Sequence, residues 1–297
     1  MFGNKQGETA TPASQRTLLA KDLDKPRGDT RSRSQERSLE SLETSLPLRT
    51  LWSSPDREGR QVAFKKQRFP PATKKLYLPI LPGSSGLTLA LATAHKYPVS
   101  FFKTYPLETL QIQPDQIVKT SHENLVNLEE AYLGHKSVVL TYDSYGISLE
   151  EIRRACNIFA SDEGAVATIC RELLKGLNYI HNEIGVTHGS LSCRTVVLTE
   201  KGEVKIADIG VGMVRGYGAE DGYWDIRAVR QIAAVLLDLK PGAEPAGGLR
   251  LDAYNFVYRS TNVAVNELLN HRFLEGGIEP WGLQSLAILS KIMQYGA

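Results

Sequence analysis

Along the chain the apolar positions fall into two regimes. From Leu76 they cluster in short runs, Leu76 to Leu81, Leu87 to Thr93, Val99 to Lys103 and Val138 to Tyr142, which predict the strands of a small antiparallel sheet. Beyond Ser148 the spacing lengthens to three and four. Val166, Ile169, Leu173, Leu177 and Ile180 line one helical face, and Ile226, Val229, Ile232, Ala233 and Leu236 line another. The order predicts an α+β chain, a β-rich lobe over residues 76–141 followed by a helical lobe over 142–297.

Before about Lys75 no sustained period exists, and Ser, Thr, Arg, Glu and Gln dominate, so residues 1–75 are expected to be a disordered basic tail. Within it Leu39, Leu42 and Leu46 recur at helical spacing and Pro47 ends the pattern. A short docking helix over Ser34 to Leu46 and a marginal solvated helix both fit that spacing. The cluster Lys65, Lys66, Arg68, Lys74 and Lys75 reads either as an import or acidic-partner patch or as a solvated linker.

Composition narrows the class. A chain of 297 residues with 42% apolar and 23% charged side chains has material for one large domain or two lobes. The net charge of +2 hides an asymmetry, because residues 1–75 carry 16 Lys/Arg against 9 Asp/Glu and the remainder 19 against 24. Electrostatic attraction to acidic partners therefore belongs to the tail. The three cysteines form no CxxC pair and argue for reduced thiols. No apolar run approaches the roughly 18 residues needed to span a bilayer. These features lead us to expect an intracellular protein, cytoplasmic or nuclear, with no membrane partner.

Residues 171–210 read RELLKGLNYIHNEIGVTHGSLSCRTVVLTEKGEVKIADIG, a helix, a polar turn at His188, two strands joined through Glu200-Lys201-Gly202, then Ala-Asp-Ile-Gly. This resembles the catalytic segment of the eukaryotic protein kinases, where a helix leads into HRDLxxxN, a hairpin follows and DFG closes the segment. Outward from it, Lys103 resembles the strand-three lysine, and Gly83 and Gly86 the second and third glycines of GxGxxG, with Leu81 at the first. His122-Glu123-Asn124-Leu125-Val126 resembles the HPNIV turn. Leu140 and Tyr142 fall in the gatekeeper and hinge strand, Asp225 resembles the aspartate opening the large lobe's central helix, and Glu267 to Leu274 resembles the final ELLxHPFL helix. The resemblance covers about three quarters of the chain and implies a two-lobed kinase-like fold.

It also implies what is missing. Phosphoryl transfer from ATP needs Mg²⁺ held by carboxylate and amide oxygens, a lysine on the phosphates and a carboxylate base. Lys103 and the metal ligand Asp208 are present, but the base position holds Ser190, the asparagine position Thr195 and the HRD arginine position Gly189, while Ser192 replaces a phosphate-contacting lysine. Only 16 residues separate Asp208 from Asp225, about half the usual activation segment, and only 18 separate Lys103 from His122. No helix-C glutamate is evident: ungapped counting puts Gln113 there, and Glu108 or Asp115 are the candidate partners of Lys103. Phe101 stands where the family has a small alanine, so its ring is expected to fill the adenine site.

The resemblance thus implies a pseudokinase, a binding or scaffolding module with protein partners, whose groove (Lys103, Gly83, Gly86, Phe101, Leu140, Tyr142 and the metal position Asp208) takes ATP with Mg²⁺ feebly or not at all. Two alternatives stay open, a divergent ATP-dependent Ser/Thr kinase with an unusual base, and an adaptor binding nucleic acid through its tail. The lack of interleaved aromatics speaks against the latter.

Overall fold

The computed structural model describes residues 61, 63–65, 75–79, 88–92, 99–106, 117–133, 136–216, 222–260 and 264–295. All belong to the second of two compact units, Leu51–Ala297. The tail helix over Ser34 to Leu46, Gly83 and Gly86, and Glu108, Gln113 and Asp115 lie outside the described residues.

Strands β1 (Phe64–Lys65), β2 (Lys75–Pro79), β3 (Thr88–Ala92), β4 (Val99–Pro106), β5 (Leu128–Leu133) and β6 (Ser137–Tyr142) form one sheet in the order β1-β5-β6-β4-β3-β2. The predicted runs are β2, β3, β4 and β6, each antiparallel to its neighbour. Strand β5 escapes the pattern because its sequence, LEEAYL, does not alternate and its register shifts between Leu128 and Glu130.

Strand β1 corrects the boundary drawn at Lys75. It pairs parallel to β5, and Ala63, fully buried, donates to the Ile117 carbonyl at 2.9 Å and accepts from Ala131 N at 2.9 Å. Lys119 N adds a bond to the Gln61 carbonyl at 2.8 Å. The folded body therefore starts no later than Gln61. Backbone hydrogen bonds hold this segment, and hydrophobic periodicity does not register them.

The helical lobe hangs on α1 (Leu149–Ala155), α2 (Glu163–Asn178), α3 (Ile209–Arg215), α4 (Gly222–Leu236), α5 (Gly248–Tyr258), α6 (Val265–Leu268), α7 (Arg272–Glu275) and α8 (Gln284–Tyr295). A capping box at Ser148 and Glu151 starts α1, and the Asp162 carboxylate, accepting from Ala165 N, starts α2. The stripe Val166, Ile169, Leu173, Leu177 is fully buried as its spacing requires. The helix does not reach Ile180 in α form; it loosens into a π turn over Tyr179–Ile184 and stops at Gly185, φ 75°. The hairpin β8 (Val196–Leu198) and β9 (Val204–Ile206) turns through Glu200-Lys201-Gly202 as predicted and joins β7 (Ile147–Ser148) in a second sheet.

The expected helix over Glu267 to Leu274 is two short ones, α6 and α7. His271 breaks it: its ring nitrogen accepts from Phe273 N at 3.1 Å, so it caps a new turn instead of continuing the old. All three cysteines are free, and burial raises the Cys170 thiol and pushes the Cys193 thiol up to about 11. Among the described residues no helix is long and apolar enough to cross a membrane.

Candidate functional site

Alternation along β4 puts Phe101, Lys103 and Tyr105 on one face of the sheet, and the antiparallel register sets Phe101 opposite Tyr142 and Lys103 opposite Leu140. The residue they meet is Asp208. It follows β9, adopts a left-handed backbone with φ 65°, and opens α3. That conformation costs an aspartate about 1 kcal/mol, and its side-chain contacts offset it. Lys103 Nζ reaches one carboxylate oxygen at 2.7 Å, and the Tyr105 hydroxyl donates to the other at 3.0 Å.

Both Asp208 oxygens are thus engaged by the small lobe. Burial first, then the neighbouring Tyr142 and the Asp208 charge, hold the Tyr105 hydroxyl far above its ordinary value, so it stays a donor. Tyr142 is fully buried beside this pair, and its hydroxyl, raised by burial and by Asp208, finds no hydrogen bond of ordinary geometry. Leu140 is buried too. A Cβ on Gly210 would lie 2.8 Å from Leu140 and 3.2 Å from the Tyr142 hydroxyl, so the glycine of Asp-Ile-Gly is required for α3 to sit under the sheet.

The cavity beside Asp208, walled by Val126, Tyr142, Tyr145, Gly146, Val197 and Ala207, measures about 30 Å³, room for a water or two. Phe101 is not one of its walls. Its ring is half-buried and stacks on Tyr145 at 5.7 Å with a 22° interplanar angle. Tyr142 and Tyr145 narrow this cavity, and Phe101 packs against Tyr145.

The turn after α2 is held by Asp225, 1% exposed at the start of α4. Its carboxylate accepts from His188 N at 2.7 Å, Gly189 N at 2.9 Å and His181 Nε2 at 2.9 Å. Burial opposes the charge, but the His181 hydrogen bond, the His188 ring and the two amides outweigh it and hold the carboxyl below its ordinary value. His188 Nε2 in turn lies 2.7 Å from the Ala207 carbonyl, which makes it the donor and leaves Nδ1 to accept from Ser190 N at 3.3 Å.

Ser190 is exposed, with its hydroxyl 3.5 Å from His188 Nδ1. Thr195 closes the loop, accepting from Ser192 N at 3.0 Å and lying within reach of the Ser190 and Ser192 carbonyls. Neither supplies a carboxylate or amide oxygen. A metal on Asp208 would share its carboxylate with Lys103 and Tyr105, and the cavity beside it measures about 30 Å³.

Of the residues singled out from sequence, Lys103, Leu140, Tyr142 and Asp208 lie together, while Tyr105, Tyr145 and the part played by His181 were not among those singled out. Period two from Lys103 points to Tyr105; nothing in the spacing flags Tyr145.

Two histidines give the molecule a pH dependence. His122 Nδ1 accepts from Asn124 N at 3.1 Å and its ring stacks on Tyr179, while His271 caps Phe273. Burial lowers both, with nearby carboxylates opposing it. The unfolded chain therefore takes up protons near the ordinary value of about 6.5 before the folded one does, so stability is full above that pH and falls below it. The melting temperature should hold from pH 8 to 7 and decline towards pH 5. A His122→Asn/His271→Asn variant, which keeps an acceptor at both positions, should flatten that decline; an unchanged slope refutes the assignment.

Residues 112–225 match the family model described as protein kinase domain. The chain is 35% identical over 106 residues to a probable serine/threonine-protein kinase of Dictyostelium discoideum, covering 33% of this chain and 9% of that protein. It is 34% identical over 105 residues to serine/threonine-protein kinase dst2 of the same organism, covering 35% and 9%. It is 28% identical over 224 residues to serine/threonine-protein kinase pakA of Talaromyces marneffei, covering 69% and 31%. The chain thus spans about a tenth to a third of the length of these relatives.

Proposed function

Taking as premise that this chain belongs to the eukaryotic protein kinase superfamily, we propose that it is a pseudokinase, a binding or scaffolding module that transfers no phosphate. The observation that carries this reading is the state of Asp208, whose two oxygens are taken by Lys103 and Tyr105. Ser190 at the base position supports it, because a hydroxyl with a pKa far above 7 does not deprotonate a substrate alcohol. Thr195 supports it further by spending its hydroxyl on the loop backbone. Protein partners would then be the ligands, with the fold serving as their platform.

The second reading, a divergent Ser/Thr kinase, is favoured by the similarity to proteins named serine/threonine-protein kinases. One assay separates the two. The full chain incubated with radiolabelled ATP, Mg²⁺ and generic protein substrates should incorporate no label above a heat-killed control. Sustained incorporation that vanishes in Asp208→Ala would sink the pseudokinase reading and establish the enzyme.

A further inference from the structure

On the side of α4 away from Asp225, a cavity of about 580 Å³ opens between α4 and α5. Its size falls in the range of ligand pockets, roughly 300 to 1,000 Å³. Arg230 forms part of its wall and is only 6% exposed. The guanidinium donates to the Ser260 carbonyl through Nη1, and its Nε has no hydrogen-bond partner. Among the described residues no carboxylate lies within ion-pair distance of it.

An arginine cannot shed its proton to escape burial. A buried charge left without a counter-charge is costly, and the cheapest relief is an anion from outside. The surroundings say which anion. Arg227, exposed and lying over the Trp224 ring at 5.4 Å, supplies a second guanidinium on the same wall, while Asp238 supplies one carboxylate. Two cations against one anion suit a singly charged carboxylate better than a phosphate of nearly two charges. The apolar part of the wall, Tyr223, Val235 and Tyr258, together with the 57% exposed Trp224 beside it, offers more contact than a free carboxylate ion covers.

We propose that this cavity is a docking site for an acidic peptide segment of a protein partner, with Arg230 and Arg227 clasping an Asp or Glu side chain and Tyr223 and Val235 receiving its aromatic or aliphatic neighbour. The site lies on α4 and not in the cleft, so it stands whether or not nucleotide binds.

An array of random octapeptides probed with the fluorescently labelled full chain tests it. The wild type should capture peptides rich in Asp or Glu at least tenfold over their Asn or Gln counterparts. Arg230→Met should abolish that preference with an unchanged or higher melting temperature, because it removes an uncompensated buried charge. Arg227→Gln, at an exposed position, should weaken capture severalfold with no effect on melting. A wild type without acidic preference overturns the proposal, as does an Arg230→Met protein that keeps it. So does a melting temperature that drops in Arg230→Met, which would assign the guanidinium to the fold through Ser260. Free glutarate serves as the small-anion arm: protection of the wild type against heat by glutarate equal to that by a captured peptide would make the ligand a small carboxylate and refute the peptide.

Discussion

Asp225→Ala should cost the folded body about 3 to 5 kcal/mol, the usual penalty for breaking a buried charged network by removing one member. The carboxylate is 1% exposed and accepts from the His188 and Gly189 amides and from His181. Truncation leaves the His188 amide buried without an acceptor, at about 1 to 3 kcal/mol before relaxation, and takes the acceptor from the less buried Gly189 amide and His181 ring as well. Since a domain of this kind is stable by about 5 to 15 kcal/mol in total, the variant should lose a large share of its stability or fail to fold. Asp225→Asn retains one accepting oxygen and should fall between the two. Denaturant midpoints of the three proteins measure it, and a shift below about 1 kcal/mol in Asp225→Ala would mean that the turn at His188 is held by something else.

The second large effect concerns nucleotide. For Asp208 to meet a metal and Lys103 a phosphate, their 2.7 Å contact must loosen, with Tyr105 competing for the same carboxylate. The pair is 14% and 17% exposed, so the cost is discounted from that of a fully buried pair to about 2 to 4 kcal/mol. At about 1.4 kcal/mol per factor of ten, binding falls by roughly thirtyfold to a thousandfold. An affinity in the micromolar to millimolar range common for enzymes moves towards and beyond millimolar. Phe101→Ala, the change the sequence alone recommends, leaves Tyr142 and Tyr105 in place and should restore little. Tyr105→Phe combined with Tyr142→Leu frees one Asp208 oxygen and enlarges the 30 Å³ cavity, and should strengthen binding at least tenfold over the wild type.

How far the sequence carried this reading depends on what kind of force built each part. The two helical stripes and the strand runs were legible because burial repeats with the period of the element, and the segment from Arg171 to Gly210 was legible because its polar residues stand at fixed offsets. Asp225 was found by its place in Tyr-Trp-Asp-Ile-Arg. Strand β1 was not, since Ala63 is held by backbone hydrogen bonds to Ile117 and Ala131, and such bonds leave no pattern in side-chain polarity. The contact that Phe101 makes was not legible for a related reason. Its ring stacks on Tyr145, and such packing between distant segments leaves no signal in the spacing. Arg230 was hidden because nothing in a helical stripe distinguishes a buried guanidinium from a solvated one.

Calorimetric titration of Mg-ATP into the wild-type chain, alongside the Tyr105→Phe/Tyr142→Leu variant, bears most directly on the proposal that Lys103 and Tyr105 hold Asp208 away from nucleotide. No saturable heat from the wild type at millimolar nucleotide, with measurable binding by the variant, is the predicted outcome. Saturable micromolar binding by the wild type that is lost in Asp208→Ala would contradict it, because metal and nucleotide would then compete readily with Lys103 and Tyr105 for the carboxylate.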